Sequence, residues 1–207
     1  MDGWMGKVLV VDLATSEIRT EPLNLEIARQ YIGGRGLGAR LLWEMVGPEV
    51  DPLSPENVLI IAGGPMTGTG FQTSNRFSVT TKSPLTGTVL DANSGGFWGM
   101  RFKRSGYDAL IIKNRAPQPV YLEIKPDGVA LHDAAHLWGK TVSETSAALG
   151  QDKNKRNVLC IGPAGENLVL FAAIMNDVTR AAARGGPGAV MGSKNLKAIV
   201  VEGNERV

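Results

Sequence analysis

The chain has 207 residues, enough for one sizeable core or two small ones, and its 43% hydrophobic and 20% charged content is that of a globular protein. A net charge of +2 is too small for a nucleic-acid-binding face, and the longest apolar runs fall far short of the ~20 residues that cross a bilayer. Cys160 is the only cysteine, which excludes an intramolecular disulfide and an all-cysteine metal site within one copy.

Lys7 to Leu13 alternates as a strand, Ala14 to Glu17 turns, and Ile18 to Pro22 returns as a second strand. Asn24 to Tyr31 has helical spacing, with Leu25, Ala28 and Ile32 on one face behind a capping Asn24. Gly33 to Gly38 is expected to interrupt that helix, and Ala39 to Val46 to resume as another. Asn57 to Ala62 and Arg76 to Lys82 read as strands, and Gly95 to Ser105 as a helix whose N-terminus abuts Asn93. Ala109 to Lys113 is a buried type of strand. Val120 to Ile124 and Val129 to His132 form a hairpin around Lys125-Pro126-Asp127-Gly128.

Thr141 to Leu149 follows as a helix capped by Thr141 or Ser143, and Asn157 to Gly162, Val169 to Ile174 and Leu196 to Glu202 as strands. These elements do not alternate in βαβ order, so the fold class is α+β, and with no linker the whole of 1–207 reads as one domain. Asn57-Val-Leu-Ile-Ile-Ala-Gly-Gly-Pro65 has an echo in Asn157-Val-Leu-Cys-Ile-Gly-Pro163. That echo is either chance likeness between two strand-turn units or the trace of a pseudo-twofold scaffold whose halves face a shared ligand.

Several familiar site patterns fail on spacing. Gly34-Arg35-Gly36-Leu37-Gly38 follows a helix and lacks the G-x-G-x-x-G spacing of a dinucleotide site, and Gly188 to Lys194 misses both intervals of a P-loop. His132 and His136 stand four apart, but no Glu follows in zinc-protease fashion, and His132 lies on a hairpin strand. Glu166 and Asp177 read as caps or ion-pair partners. No nucleophile is evident.

The densest charge runs from Arg180 to Lys197, where Arg180, Arg184, Lys194 and Lys197 share eighteen residues with four glycines and no acid. Glycine lets backbone N–H groups approach a ligand, and arginine forks onto phosphate oxygens. The stretch therefore suits a large, multiply charged anion such as a phosphorylated cofactor, the alternative being a solvated basic helix end. Four residues apart, Arg180 and Arg184 would face one way on a helical turn. Arg76 opens a strand, and Asn93 with the Ser94-Gly95-Gly96 amides precedes the expected helix N-terminus, a seat for phosphate. Asn93 can also offer oxygen to Mg²⁺. One concave anion site is expected to join Arg76, Asn93 and one or both of Arg180 and Arg184.

A series of motifs then carries a resemblance. Gly3-Trp4-x-Gly6-Lys7, Tyr31 to Gly38, Asp51 to Asn57, Gly64-Pro65-x-Thr67-Gly68-Thr69, Thr81 to Gly87, Asn93 to Gly96, Leu137-Trp138-Gly139 and Gly185 to Lys197 occur in this order. Together they resemble the N-terminal domain of the aldehyde ferredoxin oxidoreductases over essentially the whole chain. The resemblance implies a saddle of two mainly antiparallel sheets, pseudo-twofold, beneath a tungsten (or molybdenum) bis-pyranopterin whose phosphates are bridged by Mg²⁺. The implied reaction takes an aldehyde and water to a carboxylate, with electrons leaving through a [4Fe–4S] cluster to ferredoxin. It places Arg76, Asn93, Ser94, Gly95, Gly96, Arg180, Ala181, Arg184, Gly185 and Gly186 at the cofactor. Asn93 and the Ala181 carbonyl would reach Mg²⁺. Arg180 and Arg184 compete for one register, because many relatives have glycine where this chain has Ala183.

The resemblance assigns no catalytic residue to this chain. The cluster's cysteines, the pterin-grasping acidic motifs and the proton-transfer Glu and His belong to later helical domains. The chain reads as half of a cofactor cradle, inactive alone, that needs C-terminal helical domains or a partner subunit, and a homo-oligomer is expected. The cytoplasm is the expected location: a lone thiol fits a reducing compartment, and Met1-Asp2-Gly3-Trp4 lacks the layout of a signal peptide. The rival reading is a non-catalytic scaffold or assembly domain that keeps the fold without a metal cofactor.

Overall fold

The structure is a computed structural model that describes residues 3–207, so the reading of Met1 and Asp2 lies outside the described residues. β1 (Lys7–Asp12) and β2 (Glu17–Pro22) form the expected hairpin. α1 (Leu25–Tyr31) starts behind Asn24, whose side chain accepts the Glu26 and Ile27 amides as a cap should. The expected glycine interruption is only two residues long. Ile32, at φ 67°, and Gly33 separate α1 from α2 (Gly34–Met45), so the glycines of this motif lie inside a helix. Close packing explains them: a Cβ on Gly38 would stand 2.3 Å from the Thr80 hydroxyl, and α2 lies flat on the sheet there.

β3 (Leu59–Gly63), β4 (Phe77–Lys82), β5 (Val89–Ser94), α3 (Trp98–Lys103) and β6 (Ala109–Lys113) complete the first half. Its six-stranded sheet runs β2-β1-β6-β3-β4-β5, antiparallel throughout except for the β1–β6 pair. The second half supplies β7 (Val120–Lys125), β8 (Gly128–Asp133), α4 (Val142–Ala148), β9 (Asn157–Cys160) and α5 (Pro163–Glu166). It ends in β10 (Ile174–Asn176), β11 (Arg180–Ala182), α6 (Pro187–Ser193) and β12 (Leu196–Val201). Its sheet runs β11-β10-β9-β12-β7-β8, with β7–β12 the parallel pair.

Numbered within each half, both sheets have the strand order 2-1-6-3-4-5 and place their parallel pair at the same step. Helices recur at matching points too: before the third strand, and between the fifth and sixth. The Asn57 and Asn157 echo therefore marks β3 and β9, the third strand of each repeat, and the pseudo-twofold reading stands over chance likeness. α4 carries the expected cap as a full capping box between Thr141 and Glu144.

The inner faces of both sheets share one core, in which Leu9, Leu59, Val79, Leu159 and Ile199 are wholly buried. Trp98 is its largest member. Its ring lies 5.0 Å from Phe77 and 5.3 Å from Phe102, and its indole N–H donates to the Ile199 carbonyl at 3.0 Å. Separate clusters fill the outer face of each sheet under α1 and α2, or under α4.

Three expectations need correction. The helix expected from Gly95 begins at Trp98, and Asn93 and Ser94 belong to β5, where the alternation places Leu90 and Ala92 inward and Asn93 outward. The strand expected over Val169 to Ile174 begins only at Ile174, because Leu168, Leu170 and Phe171 point into solvent. Arg180 does not share a helical turn with Arg184: it opens β11, an edge strand paired to β10.

Candidate functional site

β5 and β11 are each one edge strand of their sheets, and they lie side by side. Among the described residues no hydrogen bond joins them directly, so each presents a row of backbone groups toward the seam between them. Two depressions flank this seam. In the first, of about 330 Å³, Asn93, Asp91 and Arg35 from one half meet Ala181, Ala183 and Arg184 from the other. The second, of about 340 Å³, holds Gly96, Phe97, Lys153, Asp177 and Arg180.

Asn93 is exposed and already organised. Its Oδ1 accepts a hydrogen bond from Arg76 Nη1 at 2.5 Å, and its Nδ2 donates to the Phe77 carbonyl at 3.1 Å. Arg76 thus meets Asn93 directly but lines neither depression, and the single concave site expected of these residues is divided between two. Arg184 and Ala181 share a depression with Asn93, while Arg180 turns to the neighbouring one beside Gly96. Both arginines front the seam, one in each depression.

Charge marks what the seam can bind. Among the described residues no carboxylate lies within 4.0 Å of Arg76, Arg180 or Arg184, although all three are exposed. Asp91 lies in the first depression, where Arg35 Nε takes one oxygen at 2.8 Å. A Cβ built on Gly95 would meet nothing within 4 Å, so the space above that backbone is open. Three unpaired guanidinium groups around open backbone suit an anion with several oxygens.

Not every candidate faces the seam. Lys194 and Lys197, half of the expected cation cluster, are wholly buried. Lys194 Nζ donates to the carbonyls of Pro55 at 3.3 Å and Asn114 at 3.0 Å, and to that of Asn57. Lys197 pairs with Glu166 and donates to the Lys140 carbonyl at 2.9 Å. Both lysines are structural, because a basic run that ends in a central strand must turn its cations inward and bind them there. Gly186 is likewise buried, beneath the Leu170 carbonyl and Pro84, and Gly185 passes its carbonyl to the Ser83 hydroxyl at 2.7 Å. Ser94 is buried and accepts the Asn176 amide at 2.9 Å.

The expected phosphate seat also differs. α3 starts at Trp98, and the Phe97 N–H before it is taken by the Asp177 carboxylate at 2.5 Å. Asp177 is thus the cap that the sequence suggests, though for an element eighty residues away. Sequence reasoning missed Arg35, Asp91 and Asn176. Their only signal was position beside glycine motifs, and the packing of α2 and of the β10–β11 hairpin against β5 decides their place. His132 reaches Glu123 at 3.2 Å, and His136 lies 3.7 Å from Asp133. Cys160 is buried, which pushes its thiol up to about 11, out of the range of a reactive thiolate.

Residues 8–203 match the family model described as aldehyde ferredoxin oxidoreductase, N-terminal domain. The chain is 53% identical over 209 residues to the tungsten-containing aldehyde ferredoxin oxidoreductase of Pyrococcus furiosus, covering 100% of this chain and 34% of that protein. It is 38% identical over 221 residues to the WOR-like subunit of aliphatic sulfonate oxidoreductase from the same organism, covering 99% and 35%. Among solved structures it is similar to the active site complex BamBC of benzoyl coenzyme A reductase in complex with 1,5-dienoyl-CoA. There the TM-score is 0.95 at 42% identity, over 99% of this chain and 32% of that one. The chain thus spans about a third of the length of these relatives.

Proposed function

The chain belongs to the aldehyde ferredoxin oxidoreductase family, and from that membership we propose that it is the cofactor-cradling part of a tungsten-dependent enzyme of this type. The observation that carries the reading is the seam: Arg76, Arg180 and Arg184 stand without carboxylate partners around the edges that bear Asn93 and Ala181. A phosphorylated bis-pyranopterin with its Mg²⁺ would bring the negative charge that these arginines lack. When bound, it would supply a tungsten centre able to change oxidation state while an aldehyde and water become a carboxylate, with a [4Fe–4S] cluster in other domains passing the electrons to ferredoxin.

What this chain contributes is binding. Arg76, Arg180 and Arg184 would hold phosphate or pterin oxygens, the open backbone at Gly95 would let the cofactor approach, and Asn93 and the Ala181 carbonyl would serve the Mg²⁺. The relatives named for an aldehyde, an aliphatic sulfonate and a benzoyl thioester share this domain at 53%, 38% and 42% identity. That breadth supports a domain that seats the cofactor and leaves substrate choice to other parts of the protein.

The surface also carries exposed apolar side chains. Trp43 is 80% exposed beside Val89, and Phe171 is 70% exposed on the loop that packs Gly186. These patches support a need for helical C-terminal domains, a partner subunit or a second copy as cover. Among the described residues no helix is long and apolar enough to cross a membrane.

Two experiments test the reading. The 207-residue chain alone should show no aldehyde-dependent dye reduction and no iron–sulfur absorbance, since one cysteine cannot replace four thiolates. Produced with the remaining two-thirds of the family architecture, it should carry tungsten or molybdenum with pterin. A folded assembly that contains neither would sink the cofactor reading in favour of a scaffold. Asn93→Leu should leave the fold intact, because Asn93 caps no helix, yet weaken cofactor retention. Losing a hydrogen bond to a charged group costs about 1.5–3 kcal/mol, roughly ten- to a hundredfold in affinity. Unchanged metal and pterin content with a lowered melting temperature would remove Asn93 from the site.

A further inference from the structure

The two edge strands do not bond to each other, so something else must set the distance between Asn93 and Ala181. The hairpin between β10 and β11 reaches across. Asp177 Oδ2 accepts the Phe97 N–H at 2.5 Å, and Asn176 Nδ2 donates to Ser94 Oγ at 2.9 Å and to the Gly95 carbonyl at 3.1 Å. Asp177 is itself braced from behind, its Oδ1 accepting from Asn157 Nδ2 at 2.8 Å and Gln151 Nε2 at 3.4 Å.

Backbone strain accompanies this grip. Asp177 and Val178 are successive non-glycine residues with φ of 47° and 63°, a conformation that persists only where surrounding contacts enforce it. On the opposite side Gly96 has φ 99°, and a Cβ there would stand 2.5 Å from Asp177 Oδ2 and 2.8 Å from Asn176 Oδ1. Only glycine lets the 94–97 loop close against this pair. Asn176 is 1% exposed, and its Oδ1 has no partner among the described residues.

We propose that Asp177, with Asn176, is the positioning pair that fixes the spacing of the two ligand-bearing edges, so that Arg76 and Asn93 from one half and Arg180 and Ala181 from the other address one ligand. This inference rests on the proposed anionic cofactor site. Asp177 borders the second depression, and the role assigned to the pair is to hold Gly95, Gly96 and Arg180 in place around a ligand. Its position at the hairpin leading into β11 ties Arg180, three residues on, to the same anchor that holds the 94–97 loop.

The test uses the 207-residue chain with inorganic pyrophosphate as probe, titrated by calorimetry, beside melting temperature and amide exchange by NMR. Asp177→Leu removes the acceptor for Phe97 and, unlike asparagine, puts no amide oxygen in its place. It should weaken pyrophosphate binding roughly ten- to a hundredfold, the usual loss when a group that orients a ligand's contacts is removed. Asn24→Ala, which uncaps the distant α1, should lower the melting temperature and leave affinity unchanged. Wild-type affinity in Asp177→Leu would overturn the proposal. Should that variant fail to fold, Asn176→Ala releases Ser94 and Gly95 alone, and full affinity there would overturn it equally. A wild-type chain that binds no pyrophosphate would count against the anionic site itself. The pair would then be judged by exchange: Phe97 protection unchanged in Asp177→Leu refutes it, and exchange at least tenfold faster upholds it.

Discussion

Lys194→Ala is expected to destabilise the chain by about 3–5 kcal/mol, enough to leave a marginal domain largely unfolded. The side chain is wholly buried, and its ammonium gives one proton to each of three carbonyls, at Pro55, Asn57 and Asn114. These carbonyls belong to the first half and Lys194 to the second, so the lysine joins the repeats from within. Alanine would leave three buried acceptors without a donor and a cavity where the stem lay. A melting temperature within a few degrees of wild type would show that the carbonyls find water instead.

The same lysine makes a pH test. Burial draws its pKa from 10.5 down to about 8, and the nearby Arg115 charge adds to the effect. Between those values the unfolded chain binds a proton that the folded chain does not, so the contribution of this site to stability rises with pH across that window. Below about 8 both states are protonated and the contribution is flat. Full passage through the window is worth up to about 3 kcal/mol. Lys194→Met, which keeps the volume and lacks the titration, isolates the effect from other groups. The gap in melting temperature between wild type and Lys194→Met should widen from pH 7 to pH 10, and a constant gap would contradict the assignment.

Gly186→Ala should cost about 3 kcal/mol or more, from two independent causes. Its φ is 82°, where an L side chain costs about 1–2 kcal/mol. Its Cβ would also lie 1.9 Å from the Leu170 carbonyl, and overpacking a filled site adds about 1–3 kcal/mol. For a chain of this size the sum corresponds to a drop in melting temperature of roughly 10 °C. Gly87→Ala is the control, since Gly87 has φ 70° with nothing within 4 Å of the added carbon. Equal effects from the two substitutions would mean that the contact with Leu170 does not matter. Because the carbonyl of the adjacent Gly185 is pinned to Ser83, the displacement should also shift Arg184, visible as weaker binding of a phosphate probe.

Local chemistry determined much of this molecule. The alternation in Lys7 to Pro22, the Asn24 cap, the Thr141 capping box and the turn at Lys125 to Gly128 each act within a few residues, so they can be read without the fold. The ordered motifs sufficed for the family, whereas the echo at Asn57 and Asn157 stayed ambiguous until the two sheets showed the same strand order. Arg76, Asn93 and the 180–186 segment were legible as anion chemistry because arginine beside glycine keeps its meaning in any fold.

Tertiary structure decided what that chemistry faces. Lys194 and Lys197 look like ligand cations in sequence, but the end of α6 buries Lys194 against carbonyls and the central strand β12 buries Lys197 against Glu166. Gly34 and Gly38 look like a loop, yet both lie in α2, where Thr80 leaves no room for a side chain at Gly38. Asp177 looked like a lone carboxylate until the hairpin brought it to Phe97, eighty residues earlier. In each case the deciding contact joins segments far apart in the chain. A window of sequence carries propensity and pattern, whereas the partner of a side chain is chosen by which strands become neighbours.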